Sequence, residues 1–290
     1  MDWNFLFVIT LNGVIYGSFL LLPTLGLSLV FGLGRVVNFA HGALYALGAY
    51  LLVDLMRIVG GYWLALVIAP LLMVPFAVAV ERLTIAPIRH RPEIYTLLVT
   101  FGVAFMILGG IEYYWGTGTT LTPLPRPFQG TVKVLGNQYP TYRLFAAVLS
   151  LAITAGVFAF VQRTPLGLRI RAITDDGEMA EALGINTRGV LTLVFGGAAG
   201  LAAFAGALGA PIFTVNPGMG SSILLDSFLA VILGGLGNLP GSAVGALTVA
   251  LAKSIGGGYL SDWSIAVIFG VVAVMLIFRP KGVLGRGRVA

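Results

Sequence analysis

The chain alternates between long uncharged stretches and short charged ones. No Asp, Glu, Lys or Arg falls within 3–34, 58–80, 144–162, 189–225 or 227–252. A bilayer-spanning helix needs about 20 apolar residues. Several of these runs suffice alone, and the longest must fold back on itself. The pattern predicts ten apolar segments, at about 5–22, 24–33, 37–55, 62–81, 94–115, 143–162, 189–209, 223–236, 240–257 and 260–278. Two are short: 24–33, set off by Pro23, and 223–236, followed by "GGLGNLP" at 234–240. Pieces this short do not cross the hydrocarbon core. They are half-helices or re-entrant segments, tolerated where protein or a cavity shields their ends. The expected fold is all-α, a polytopic membrane protein with about ten transmembrane or half-membrane helices in a single domain over 1–290.

Composition agrees. Of 290 residues 58% are hydrophobic and only 10% charged, against about 25% charged in soluble domains. The absence of cysteine excludes disulfides, thiol catalysis and thiolate metal sites. A net charge of +6 raises nucleic acid as a partner, but the placement of the charge points to the lipid bilayer instead. Arg82, Arg89 and Arg91, then Arg163, Arg169, Arg171 and Arg188, then Arg279, Lys281, Arg286 and Arg288 fall in three short segments. Clustering of this kind marks cytoplasmic loops. The N-terminus carries Asp2, has no basic n-region, and is followed by a run too long for an h-region, so no cleaved signal peptide is expected. The polar stretch 116–142, rich in Pro, Gly and Thr, faces outside by parity. With ten segments crossing, or with the short ones re-entrant in pairs, both termini face inside.

An internal offset of 203 residues aligns Gly32, Leu33, Gly34, Ala40, Gly42, Ala43 and Leu44 with Gly235, Leu236, Gly237, Ala243, Gly245, Ala246 and Leu247. These are seven identities in thirteen ungapped positions. Chance in a Gly/Ala/Leu-rich chain is the competing explanation. Both copies, however, sit where a short apolar segment meets a glycine break, and paired breaks of this kind point to a transport pathway. The expected organisation is two repeat-like halves, about 1–115 and 143–278, with an external loop 116–142 and a cytoplasmic loop 163–188. The Gly/Ala-rich run 195–211 reads as a close-packing helix.

Catalytic signatures are missing. No G-x-x-x-x-G-K-[ST], H-E-x-x-H or nucleophile elbow occurs, and His41 and His90 are 49 residues apart. Catalytic residues, metal ligands and cofactors are not expected. The loop 163–189 is more informative. Asp175, Asp176, Glu178 and Glu181 fall in or near the first turns of a helix from about Asp175 to Leu183, where acids favour the helix dipole. Gly184 suits the position after the helix end. Met179, Ala182 and Leu183 form an apolar face. Such a helix either docks into a partner or lies on the membrane surface.

"LVFGLGRVVNFAHGALYALGAYL" (29–51), "TPLGLRIRAITDDGEMAEALGI" (164–185), "NPGMG" (216–220), "AVILGGLGNLPGSAVGALTVAL" (230–251) and "FRPKGVLGR" (278–286) occur in that order. With them the chain resembles the permease subunits of ABC importers for branched-chain amino acids, a group that also includes ribose-type sugar permeases. The resemblance covers nearly the whole chain. It implies a permease in the bacterial inner membrane that moves small amino acids or similar polar solutes inward. It also implies a second homologous permease or a second copy, two cytoplasmic ATPase subunits, and a periplasmic or lipid-anchored solute-binding protein. The segment Asp175, Asp176, Glu178, Met179, Glu181, Ala182, Leu183 and Gly184 matches the loop helix that docks into the ATPase. Two departures stand out: Lys253 where an acid is expected, and Asn238 in place of a serine. Lys253 either signals an anionic solute or extends along its own stem to the interface, and the second is expected.

Arg35, Asn38 and His41 recur at spacings of three, which places them on one face of a helix. Asn38 and His41, with Gly42, Gly237 and Asn238, are the candidate pathway residues. Either Asn38 and His41 touch solute, or they hydrogen-bond backbone freed at the break. The competing functional class is a passive channel or an intramembrane enzyme. A channel needs no docking helix, and an enzyme needs facing acids or histidines, whereas Arg35, His41, Glu112, Asp226 and Lys253 are scattered one per segment.

Overall fold

The computed structural model describes residues 3–260, 263–280 and 282–284. Asp2, Lys281, Arg286 and Arg288, and both chain ends, lie outside these residues. The helices are α1 (Trp3–Gly34), α2 (Ala40–Val59), α3 (Tyr62–Val80), α4 (Glu93–Trp115), α5 (Thr141–Arg163), α6 (Pro165–Asp175), α7 (Gly177–Ala182), α8 (Thr187–Gly209), α9 (Met219–Gly234), α10 (Leu239–Tyr259) and α11 (Ser264–Phe278). Seven helices among the described residues are long and apolar enough to cross a membrane, and α9 and the apolar part of α11 are shorter. The chain is a multi-pass, all-α membrane protein.

The first two expected segments are one helix. α1 runs unbroken through Pro23. Proline removes one N–H and costs one helical hydrogen bond. Unwinding the helix there would free many more backbone groups inside protein or lipid, each costing several kcal/mol. Every residue from 17 to 30 is buried, so neighbouring helices hold the turn in place.

Merging those segments removes a crossing and changes the orientation of the N-terminal end. Tyr139 donates to Asn12 Oδ1, and Ser254 Oγ donates to the Ile9 carbonyl at 2.6 Å. The start of α1 therefore lies on the face of the 116–140 loop. Its far end, at Gly32, packs by Gly237 and Thr174 of α6, on the face of the basic loops. With 5–22 and 24–33 forming one helix, the parity that put the start of the chain and the basic loops on the same face does not hold: the start of α1 lies on the opposite face.

The 116–142 loop also holds structure that its composition hid. β1 (Thr131–Val134) and β2 (Asn137–Pro140) pair antiparallel, Val134 opposite Asn137. Leu135 and Gly136 both have positive φ, the type I′ arrangement that matches strand twist in a two-residue hairpin.

α1 and α8 form the centre. α8 lies against α1, α2 and α3, and α10 lies against α1 and α9. The Tyr45 backbone of α2 sits directly on Gly206 of α8, the close approach that small residues permit where lipid gives no hydrophobic drive for association. Ser242 of α10 donates to Ser28 of α1 at 2.8 Å. Leu64 and Leu71 on α3, Leu98 and Phe105 on α4, and Val274 and Ile277 on α11 are exposed, as apolar residues facing lipid are.

Candidate functional site

The shared helical face expected of Arg35, Asn38 and His41 does not form. Arg35 ends α1 with φ 49°, residues 35–38 are not helical, and α2 begins at Ala40. Arg35 is exposed, while Asn38 and His41 are each 1% exposed. Asn38 Oδ1 accepts from its own chain at Ala40 N, 3.1 Å. Thr100 of α4 donates to the Val37 carbonyl at 3.1 Å and accepts from Phe39 N at 3.3 Å, so a neighbouring hydroxyl satisfies backbone freed at the break. Phe39 stacks on Phe101 at 4.0 Å between centroids.

His41 reaches α1. Its Nε2 lies 2.9 Å from the Pro23 carbonyl. A carbonyl only accepts, so Nε2 carries the hydrogen. Nδ1 has no hydrogen-bond partner among the described residues. A Cβ on Gly42 would land on the Gly220 carbonyl of α9, which makes this the tightest backbone approach in the "NFAHG" stretch.

The second break, 235–238, joins α9 to α10. Gly235 and Gly237 have φ 97° and 78°, values that favour glycine. Asn238 caps α10, its Oδ1 accepting from Gly241 N at 2.9 Å, and its Nδ2 donates to the Leu284 carbonyl at 2.5 Å. The second break packs on the last turn of α1, Gly237 against Gly32, just ahead of the first break. Asn38, His41 and Gly42 lie deeper, between α1, α2 and α9. None of these five candidate residues lines the large cavity.

That cavity, of about 660 Å³, opens on the hairpin face. Tyr16 and Phe19 of α1, Met219 and Ile223 of α9, Lys253 of α10, and Arg143 of α5 line it. Lys253 does not reach for an interface. It pairs with Asp226 of α9 at 2.5 Å and stands 4.9 Å from the centre of the Tyr16 ring. Tyr16 donates to the same Asp226 Oδ2 at 2.5 Å. Two ionisable residues that look scattered in sequence are therefore partners. The available signal was one acid and one base on the two arms of an otherwise uncharged hairpin.

The 163–188 loop folds as two helices. α6 follows α5 after Thr164, whose hydroxyl caps it by accepting from Gly167 N at 3.0 Å. No helix is expected at 165–175 from the sequence pattern. α7 is shorter than expected. Asp176 is its N-cap, accepting from Met179 N at 3.0 Å. At its end Gly184 has φ 84°, Gly184 N bonds Glu181 O, and Ile185 N bonds Ala180 O, a Schellman closure. Ala180 faces the protein, while Met179 and Leu183 are 57% and 75% exposed. Glu178, Glu181 and Ala182 are exposed as well.

A buried cluster that the sequence did not reveal ties the loop after α3 to α8. Glu81, at the end of α3, is 1% exposed. Arg89 pairs with its Oε1, and Thr192 of α8 donates to its Oε2 at 2.8 Å. Among the described residues no group of three His, Asp or Glu side chains is placed to hold a metal.

The family model described as branched-chain amino acid transport system / permease component matches residues 9–278. The chain is 29% identical to the high-affinity branched-chain amino acid transport system permease protein BraD of Pseudomonas aeruginosa, over 96% of this chain and 95% of that protein. It is 28% identical to LivH of Escherichia coli, which carries the same description, with the same two coverages. LivM of Escherichia coli, also a permease protein of a high-affinity branched-chain amino acid transport system, is 26% identical over 90% of this chain and 66% of its own length. These relatives are transport subunits and not enzymes. No solved structure matches the chain.

Proposed function

This chain belongs to the family of permease components of branched-chain amino acid transport systems, and on that premise we propose that it carries branched-chain or closely related amino acids inward across the bacterial inner membrane. Energy comes from ATP hydrolysed by two cytoplasmic subunits. A second permease completes the pathway, and a periplasmic or lipid-anchored binding protein delivers solute. The observation that carries the reading is the match along 9–278 together with near-complete coverage of BraD and LivH. Similarity to both LivH and LivM favours a pair of unlike permeases.

Within the subunit, the outer cavity receives solute and the inner end is closed where the 235–238 break packs on the last turn of α1. The halves 1–115 and 143–278 are equivalent parts of this arrangement. Gly237 and Asn238 belong to the inner closure. Asn38, His41 and Gly42 hold α2 against α1 and α9. The buried His41–Pro23 bond supports this bracing role over solute contact. α7 couples the subunit to the ATPase, with Met179 and Leu183 as its apolar contacts and Asp175, Asp176, Glu178, Glu181, Ala182 and Gly184 framing them.

The test is purification of the tagged chain from its own host with whatever ATPases accompany it, followed by reconstitution. Leucine uptake that depends on ATP and on the binding protein is expected. A chain that assembles without ATPases, or that conducts leucine passively, overturns the reading.

A further inference from the structure

We propose that the outer cavity is a receiving site for the carboxylate of a small solute with a branched apolar tail, and that Lys253 is its anion anchor. The inference deepens the permease reading and rests on it.

The argument begins with hydrogen-bond capacity. An ammonium has three donors. Lys253 gives one to Asp226 Oδ2 at 2.5 Å and one to the Tyr16 hydroxyl at 3.3 Å. Tyr16 sends its own hydrogen to Asp226, so it accepts from Lys253, and the three groups form a closed triad. The triad fixes the position of Nζ and leaves its third donor without an acceptor among the described residues. That donor belongs to a side chain which is 38% exposed and lines the cavity, whereas the Asp226 side chain is 5% exposed and is not part of the lining.

Charge follows the same direction. Arg143 lines the cavity and has no ion-pair partner among the described residues. Two cations against one buried acid leave the cavity positive, and low-dielectric walls focus such a field on an incoming anion. A single spare ammonium donor suits one carboxylate oxygen. The walls set the rest of the ligand. Phe19 and Phe213 meet edge to face at 5.8 Å, with Met219 and Ile223 beside them. An aliphatic tail loses apolar surface to water against such a wall. Asp226 and Tyr16 are positioning residues, since they act through Lys253.

The chain contains no cysteine, which gives a direct test. Ser222 is exposed and lines the cavity. Ser222→Cys in the full assembly, in membrane vesicles, is labelled with a neutral thiol reagent in the presence of leucine, 4-methylpentanoate, leucinamide or inorganic phosphate. Leucine and 4-methylpentanoate should slow labelling, while leucinamide and phosphate should not. In the same background Lys253→Arg should keep protection. Lys253→Met combined with Asp226→Asn removes both charges without stranding either, and should raise the half-protecting leucine concentration about tenfold or more, the scale of a lost charge-assisted hydrogen bond. Equal protection by leucinamide or by phosphate overturns the carboxylate assignment. So does an unchanged midpoint in a double variant that assembles normally. Labelling needs no ATP. Absent protection with intact leucine uptake therefore sinks the site alone, and intact protection with absent uptake sinks the transport reading alone.

Discussion

Lys253 of α10 and Asp226 of α9 face each other at 2.5 Å across the hairpin closed by the 235–238 break. Their heights differ at first sight. At 1.5 Å per residue, Asp226 lies about 12 Å along α9 from the break and Lys253 about 21 Å along α10. Side chains lean toward the N-terminus of their own helix. The two helices are antiparallel, so Lys253 leans toward the break and Asp226 leans away from it, and the long lysine stem closes the gap.

Removing one member of this pair strands the other. Lys253→Ala should lower thermal stability of the detergent-solubilised chain, because it leaves the 5% exposed Asp226 side chain without its counter-charge. The 38% exposure of Lys253 keeps the loss below the roughly 3–5 kcal/mol of a fully buried pair. The double neutral variant Lys253→Met with Asp226→Asn should recover most of that loss. The check is the melting transition followed by fluorescence-detected gel filtration. A double variant no more stable than Lys253→Ala would show that the stranded Asp226 charge is not what destabilises the single variant.

The contact at Gly42 tolerates no side chain. Because a Cβ there meets the Gly220 carbonyl, Gly42→Leu should prevent assembly, and Gly42→Ala should already reduce the yield of folded protein. His41→Asn should lose only the bond to Pro23, about 1 kcal/mol, with transport retained. A His41→Asn protein that assembles normally without transporting would reassign the histidine to solute contact.

The clearest parts of this protein in its sequence are those built by local rules. α7 is such a case, because Asp176 and Gly184 cap it through bonds to their own chain within a few residues. The uncharged runs likewise placed the spans. What was hidden depends on distant partners. Pro23 looks like a break, but whether a proline ends a membrane helix depends on how its neighbours pack, and here they bury it completely. Lys253 looks like a snorkelling residue because nothing local points to Asp226. The β-hairpin hid in a loop whose Pro and Gly content is that of a turn-rich linker, and its type I′ turn uses Leu135, not a residue that favours positive φ.

Coupling should depend on the α7 closure. Gly184→Asp places an L-residue at φ 84° and adds negative charge at a helix C-terminus, where the dipole disfavours it. Leu183→Asp removes one of the two exposed apolar contacts without touching the backbone. Both should reduce substrate-stimulated ATP hydrolysis and uptake together while membrane levels hold. Wild-type stimulation in a well-assembled Leu183→Asp complex would exclude this face from the ATPase contact.

Topology offers a sharp check, because the N-terminal end of α1 shares a face with the β1–β2 hairpin. Single cysteines at Trp3 and Thr119 should react with an impermeant thiol reagent added outside spheroplasts. One at Gly177 should react only after permeabilisation. Protection of Trp3→Cys together with labelling of Thr119→Cys would restore a cytoplasmic N-terminus and reject the α1 orientation.

The Glu81 cluster should carry a coupling energy that surface charges do not. Glu81 is buried at the point where α3 ends and a π-helical turn, Glu81–Ile85, begins. Arg89 bonds Glu81, reaches Thr192 at 3.0 Å, and touches the Arg188 carbonyl at 3.4 Å. One guanidinium thus joins the loop after α3 to the first turns of α8, which follows the 163–188 loop. Thr192→Val keeps the volume but strips Glu81 Oε2 of its donor, a loss of about 1–3 kcal/mol. Arg89→Met should cost more, because it leaves a carboxylate buried without a counter-charge. If the cluster only stabilises the fold, Arg89→Met with Glu81→Met should restore both melting temperature and uptake. If it also holds α8 in register with the ATPase contact, the double variant should regain stability while ATP hydrolysis proceeds with little leucine moved. Measuring the ratio of leucine taken up to ATP hydrolysed in proteoliposomes separates the two. We expect a lowered ratio, since the replacement methionines fill space but cannot hold Arg188 and Thr192 in place.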